Sequence, residues 1–261
     1  MLILRSLAYN VVFYVALVAL MVFWTPFYFL APRRYAWYVP KFWARTNMWL
    51  LEKIAGGKVD IVGAGNLPQG SYILAPKHQS FLDAFSFVPM LPDALYILKR
   101  ELMWIPLFGW YVCKMRMVPV KRGDRSRALR DVVAKTLERM KAGRQLIIYP
   151  EGTRRAPGAE PAYKFGIVEL YARLGVPVVP VAHMAGLFWS RREFLRHPGR
   201  IEMRVLPAIP PGLTKEEFQK RLVGDTERVC DEILLEIAAR PDAPPMPPTA
   251  KARLAALGFK P

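Results

Sequence analysis

Tyr72-Ile73-Leu74-Ala75-Pro76-Lys77-His78-Gln79-Ser80-Phe81-Leu82-Asp83 is the stretch that decides the fold. Its apolar start, 72–75, reads as a buried strand. A polar turn follows, with a histidine and a carboxylate five positions after it. The next residues, 83–90, are predicted to be helical. A strand that runs through a polar turn into a helix is a βα unit, and ligand sites in such sheets lie at the carboxyl ends of the strands. A second stretch repeats the logic. The strand 145–149 and Pro150 lead into Glu151-Gly152-Thr153-Arg154.

Outward from these two stretches, strands and helices alternate. Strands are expected at 58–62, 95–98, 117–120, 176–181 and 201–206. Pro177 and Pro180 mark the fourth of these as an edge or bulged strand. Helices are expected at 125–141, with Leu129, Val132, Val133, Leu137 and Met140 on one face, and at 163–174, ending at Gly175. Thr214-Lys215-Glu216-Glu217 is a capping box opening a long last helix that turns Phe218, Leu222, Val229 and Ile233 inward. The pattern predicts one α/β domain over 57–240, with a mixed, largely parallel sheet flanked by helices. Residues 241–261 read as a proline-rich linker and a poorly ordered tail.

The N-terminal part, 1–56, has a different character. No charged residue occurs from Ser6 to Pro32. A helix over 7–30 would be roughly 36 Å long, enough for a hydrocarbon core of about 30 Å. A cleaved signal peptide is the rival reading, but Pro32-Arg33-Arg34 follows the run where a small-residue cleavage site would stand. Residues 35–54 place Lys41, Arg45 and Glu52 on one helical face and Phe42, Trp43, Trp49, Leu50 and Ile54 on the other. Trp37, Trp43 and Trp49 suit a headgroup layer. The expectation is a membrane-anchoring helical pair, either spanning the bilayer or lying in one leaflet; a core helix is the plainer alternative for the second segment. Basic residues after the apolar run place the remainder on the cytoplasmic face of the inner (plasma) membrane.

The chain has 261 residues, with 38 Lys and Arg against 21 Asp and Glu, a formal charge of +17. That balance favours anionic partners. Apolar residues at 53% and aromatics at 12% favour a membrane over nucleic acid, since the basic residues lie among apolar elements rather than in a stripe. Cys113 and Cys230 form no disulfide framework, and no Cys/His cluster of zinc type is present.

His78 is a candidate general base, with Asp83 orienting its second ring nitrogen. Arg154 is a candidate phosphate fork, Gly152 permits close backbone approach, and Glu151 orients an arginine or a ligand hydroxyl. Arg122, in Lys121-Arg122-Gly123-Asp124-Arg125, is the cation expected to point inward after the strand 117–120. Lys99 and Arg100 end another strand and add positive field. His197 and Glu202 repeat the five-residue spacing but run through Pro198-Gly199, which reads as a turn. His183 reads as a core or strand-end histidine, Ser80 as a helix-start residue and Cys113 as a packing residue.

In this order, the motifs resemble those of the glycerolipid acyltransferases, and most of all the 1-acylglycerol-3-phosphate (lysophosphatidate) acyltransferases. His78 to Asp83 matches the first motif, Met117 to Arg122 the second, Glu151-Gly152-Thr153-Arg154 the third, and Val178-Val179-Pro180-Val181 the fourth. The resemblance covers roughly residues 72–185. Lys77 stands where an asparagine is frequent, and Lys121 where an acidic residue is frequent; both bear on headgroup preference. The resemblance implies transfer of an acyl group from a thioester, acyl-CoA or acyl carrier protein, to the sn-2 hydroxyl of lysophosphatidate. In it His78 and Asp83 are catalytic, and Arg122, Glu151, Gly152, Thr153 and Arg154 bind substrate. It implies no metal and no cofactor. The alternatives are another acceptor (glycerol 3-phosphate, a lysophospholipid or a lyso-aminolipid) and a non-catalytic basic adaptor at a membrane.

Overall fold

The computed structural model describes residues 1–120 and 125–259. Seven strands form one sheet: β1 (Gly57–Val62), β2 (Tyr72–Pro76), β3 (Ala94–Lys99), β4 (Val118–Val120), β5 (Gln145–Ile147), β6 (Val178–His183) and β7 (Gly199–Val205), in the order β1-β7-β6-β2-β5-β3-β4. The pairs run parallel except β6 with β7. Strands β2 and β6 are buried along their whole length, as their unbroken apolar runs require of parallel strands covered on both faces. Because β4, β3, β5, β2 and β6 point the same way, their carboxyl ends share one edge of the sheet.

Helices α4 (Arg125–Met140), α5 (Phe165–Leu174) and α6 (Lys215–Ala238) pack in succession, with α6 against β6. Thr214 and Glu217 form the expected capping box. Helix α5 ends at Gly175 in the left-handed region, φ 62°.

Four expectations are corrected. Residues 83–90 are not a helix but two short 3₁₀ turns, Leu82–Ala84 and Val88–Met90. The Asp83 carboxylate binds backbone N–H groups upstream of it, and Pro89 supplies no donor. Strand β6 is central, so the edge reading fails and the bulged one stands: Val178 faces Ile209 but Val181 faces Val205, one residue out of step. Val178 donates its N–H to Ile209, so the even positions aim at the β7 side, and the β6–β7 ladder begins only at Val181 with Val205. There the Pro180 carbonyl accepts the Leu206 N–H at 2.9 Å, and a bulge tolerates a residue without an N–H of its own. The C-terminal tail is ordered in a helix, α7 (Pro248–Ala256). Arg253 grips Asp231 of α6, Thr249 Oγ1 donates to the Pro157 carbonyl at 2.6 Å, and a Cβ on Gly158 would come within 2.7 Å of Ala250 Cα. Cys113 also departs from its reading: it is exposed, on α3 (Phe108–Lys114).

Helix α1 (Leu2–Leu30) has 29 residues and would be about 43 Å long. Both ends are held by the domain. Near the start, Arg5 Nε donates to the Ile54 carbonyl at 2.7 Å, Ser6 Oγ accepts from Arg196 N–H, and Tyr9 meets Trp189 edge to face. At the far end, Tyr28 stacks on Tyr111 with centroids 3.9 Å apart, and Lys114 Nζ reaches the Ala31 carbonyl at 2.6 Å. A helix fastened at both ends to one domain runs beside it, not away from it. The side turned away from the domain carries Val11, Val15, Val18 and Val22. Helix α2 (Tyr38–Leu50) packs on α1. Trp43 turns inward against Phe13 and Phe85, and Trp37, just before α2, is buried, so Trp49 alone of the three tryptophans faces out.

Asp93, just before β3, ties this appendage to the sheet. Its carboxylate accepts from Arg33 at 2.8 and 3.0 Å, from Trp37 Nε1 at 2.8 Å, and pairs with the buried Arg144 at 3.1 Å. Replacing Asp93 by Ala leaves Arg144 buried without its counter-charge. The expected loss is about 3–5 kcal/mol, read as a lowered unfolding midpoint in detergent. A midpoint unchanged from wild type would show that the hub carries no stability.

Candidate active site

The strand-end edge gathers the motif residues. His78 follows β2 by two positions, and Glu151 follows β5, the neighbour of β2. Arg155 N–H donates to the His78 carbonyl at 2.8 Å, which joins the two polar turns directly.

His78 Nδ1 lies 2.8 Å from Asp83 Oδ1. The other oxygen of Asp83 accepts the N–H groups of Gln79 and Ser80, both at 2.8 Å. This carboxylate has no exposed surface, so its charge is balanced by those three donors. The pairing makes Nδ1 the protonated nitrogen and leaves Nε2 as a proton acceptor. The imidazole lies flat on the Tyr149 ring, centroids 3.9 Å apart and planes 19° apart, and Tyr149 donates its hydroxyl to the Asp83 carbonyl at 3.2 Å. The ring is thus fixed in plane and rotamer. A base held this way can accept a proton from a hydroxyl and return it to a leaving group.

Ser80 is buried, and its Oγ accepts the Leu82 N–H at 3.1 Å; it shapes the turn. Gly152 is at φ 66° and the nearest atom to an added Cβ is 3.7 Å away, so backbone conformation, not crowding, calls for glycine there. Thr153 is exposed beside it. The Arg154 guanidinium lies over the Phe81 ring, 5.6 Å from its centroid, which brings the third motif's cation to the first motif's turn. Arg122 lies outside the described residues; β4 ends two positions before it, on the same edge.

Of the two partners expected for Glu151, an arginine or a ligand hydroxyl, the first is replaced by a lysine. Its carboxylate is buried and pairs with Lys77 Nζ at 3.1 Å. Lys77 is buried too, and it meets Glu227 of α6 at 2.9 Å. Tyr163 donates its hydroxyl to the same Glu227 oxygen at 2.8 Å. Burial alone would lower the Lys77 pKa, and the carboxylates of Glu227 and Glu151 outweigh it, holding the ammonium above its usual range. In the sequence Lys77 stands out only as a departure from asparagine. The signal was its place at the end of an all-buried strand, where a lysine needs a partner. Tyr149, Tyr163 and Glu227 carried no comparable signal.

His183 is buried at the end of β6, as read from sequence. Its Nε2 donates to the Lys77 carbonyl at 2.9 Å and its Nδ1 accepts the Ala185 N–H at 3.3 Å, which fixes the neutral form. His197 and Glu202 belong to the turn into β7 and to β7 itself, away from the strand-end edge. Among the described residues, no group of three or more His, Cys, Asp or Glu side chains is placed to hold a metal ion.

Two outcomes test this packing. Lys77→Met leaves Glu151 buried and unpaired and is expected to cost about 3–5 kcal/mol; an unaltered denaturation midpoint would refute the pairing. Burial lowers the His183 pKa, and the Asp83 carboxylate only partly opposes it. The unfolded chain therefore takes up this proton more readily. The stability that neutral His183 confers is full above about pH 6.5 and declines as pH falls through its depressed pKa. His183→Gln should flatten the acid limb of the stability–pH curve, and an acid limb as steep as wild type would assign it to other groups.

Comparison with known proteins agrees with this geometry. The Acyltransferase family model matches residues 58–184. A 1-acyl-sn-glycerol-3-phosphate acyltransferase of Pseudomonas aeruginosa is 32% identical over 206 residues, covering 77% of this chain and 80% of that protein. A chloroplastic 1-acyl-sn-glycerol-3-phosphate acyltransferase of Brassica napus is 32% identical over 175 residues, 65% of this chain and 49% of its own length. The chain thus spans most of the bacterial relative and about half of the plant one. The crystal structure of the 1-acyl-sn-glycerophosphate (LPA) acyltransferase PlsC of Thermotoga maritima superposes with a TM-score of 0.73 over 89% of this chain and 99% of that one, at 24% identity, which shows the shared fold. By the ordered motifs, the sheet that gathers them and these similarities, the chain belongs to the glycerolipid acyltransferase family, in company with the 1-acyl-sn-glycerol-3-phosphate acyltransferases.

Proposed function

We propose that the protein transfers a fatty acyl group from an acyl thioester to the sn-2 hydroxyl of lysophosphatidate, forming phosphatidate at a membrane surface. The observation that carries this reading is the His78–Asp83 pair, stacked on Tyr149 and joined to the Glu151–Arg154 turn at one edge of the sheet.

In the proposed reaction Nε2 of His78 takes the proton of the acceptor hydroxyl as its oxygen attacks the thioester carbonyl. The C–O bond forms, a tetrahedral oxyanion collapses, and the C–S bond breaks. The imidazolium, stabilised by Asp83, hands its proton to the departing thiolate. The serine nearest the histidine, Ser80, is committed to its turn, which favours direct transfer over an acyl-serine. Arg154, with Arg122, grips the acceptor phosphate; each charge-assisted bond is worth about 1.5–3 kcal/mol. Gly152 and Thr153 shape the turn that presents Arg154, and Glu151 acts through Lys77. Coenzyme A and acyl carrier protein are both acidic, and either suits a chain of formal charge +17 as the donor carrier.

Helices α1 and α2 serve as the membrane anchor, preceding the catalytic domain at 57–240. The same net charge favours the anionic cytoplasmic leaflet of the inner membrane, where each basic residue near the surface contributes about 1 kcal/mol.

Thioester consumption with lysophosphatidate, measured for both donor classes, tests the proposal. His78→Ala should lower kcat by about 10²- to 10⁴-fold with the fold intact. Asp83→Asn should act in the same direction. Arg154→Ala should raise KM for lysophosphatidate about tenfold or more. Equal rates for wild type and His78→Ala would remove the general base, and an unaltered KM in Arg154→Ala would direct the search to an acceptor without this phosphate contact.

A further inference from the structure

The segment after β3 carries an uncovered apolar tip. Trp104, Ile105, Phe108 and Trp110 are 72%, 46%, 37% and 57% exposed. Scattered apolar residues on a surface mean little, but four large ones within seven positions form a patch that calls for a partner.

The tip is tightly built. Phe108 N–H donates to the Pro106 carbonyl at 2.7 Å across Leu107, which sits at φ 61°, ψ −59°, the strained classic γ-turn. Gly109 N–H donates to the Ile105 carbonyl at 2.8 Å, and a Cβ on Gly109 would lie 2.0 Å from the Met103 carbonyl oxygen. Tyr111 and Val112 bury the inner face. The aromatic side chains are therefore held outward by fixed backbone, an arrangement that offers area to a partner at little entropic cost.

Three observations bear on the partner. The tip continues the apolar side of α1: Tyr111, next to Trp110, stacks on Tyr28 and meets Phe29 at 5.6 Å. Lys99, Arg100, Lys114 and Arg116 flank it, with Glu101 the one acidic residue from 99 to 116. The tip also begins at the carboxyl end of β3, on the edge that holds His78. An indole pair flanked in sequence by basic residues, beside an apolar helix, fits the headgroup layer of an anionic bilayer.

We propose that residues 104–110 are a second membrane contact, which inserts Trp104, Ile105, Phe108 and Trp110 at the headgroup–acyl boundary and holds the catalytic edge against the bilayer. The contact rests on the reading of α1 as bilayer-facing and goes beyond it. It makes the catalytic domain itself an interfacial element, so that the acceptor reaches His78 while its acyl chain stays in lipid.

The test uses the full chain in phosphatidylcholine–phosphatidylglycerol vesicles containing nitroxide-labelled lipid quenchers. In a Cys113→Ser background, a fluorophore is attached through Trp104→Cys, Trp110→Cys, Val18→Cys on α1, or Lys220→Cys on α6. Labels at 104 and 110 are expected to be quenched with label 18, while label 220 responds only to aqueous iodide. Quenching of 18 with 104 and 110 behaving like 220 would overturn this contact and leave the α1 reading intact; loss of quenching at 18 as well would overturn both. Quenching at 104 and 110 that vanishes when acyl carrier protein is added would reassign the tip to a protein partner. In parallel, Trp104→Ala/Trp110→Ala should raise KM for vesicle-borne lysophosphatidate roughly tenfold. A short-chain acceptor below its micelle concentration should keep its KM, and an equal rise for both acceptors would place the effect in the fold instead.

Discussion

A carboxylate without any exposed surface has to find its stabilisation inside the protein, and the Asp83 side chain sets the form of the whole site by doing so. Its two oxygens are claimed by the Gln79 and Ser80 N–H groups and by His78 Nδ1. Satisfying the first two bends the chain out of β2 and prevents a regular helix from starting. Satisfying the third turns the imidazole so that Nε2 is the nitrogen left for chemistry. The Tyr149 ring then closes the remaining freedom from the neighbouring strand. Orientation of the base and the shape of the turn have one cause.

Behind that turn lies a second buried charge problem. Lys77 is adjacent to His78, and its ammonium is enclosed by Glu151, Glu227 and the Tyr163 ring. Such a cluster is weak support for stability, since desolvation of each ion offsets the attraction. Its effect is geometric: it fastens the Glu151 turn and α6 to the residue before the histidine. Helix α7 extends the same system, because Arg253 holds Asp231, one turn along α6 from Glu227, while Thr249 holds Pro157. The segment that presents Arg154 is therefore braced from the C-terminus.

Much of this was legible in the residues. The alternation of apolar runs and amphipathic stretches fixed the class, and His78, Asp83 and the Glu151–Arg154 turn stood out because polar motifs follow buried strands. What was not legible depends on long-range partners. Strand β6 reads as an edge or bulged strand because of Pro177 and Pro180, and only the pairing with the β7 side, one residue out of step between Val178–Ile209 and Val181–Val205, shows that a central, bulged strand holds them. The tail reads as linker because five prolines precede or open it, yet Ala250 and Leu254 find a surface to bury against. Trp37 reads as a headgroup residue because its sequence neighbours are apolar, and it is drawn inward by Asp93, fifty-six positions away.

The attachment of α1 at both ends bears on how a lipid enzyme of this kind reaches its substrate. Spanning would require one end to leave the domain by the thickness of a bilayer, about 30 Å of hydrocarbon. In the proposed anchoring, lying alongside would put the outward valines of α1 at one depth along most of the helix. Of the two ends, the later one meets α3, which follows β3 on the strand-end edge. A protein resting on that side approaches lipid with the carboxyl ends of its parallel strands, where His78 and Arg154 are. In the proposed function, the direction of the strands, set by the burial that parallel pairing demands, would thereby decide which side of the domain a membrane substrate can use.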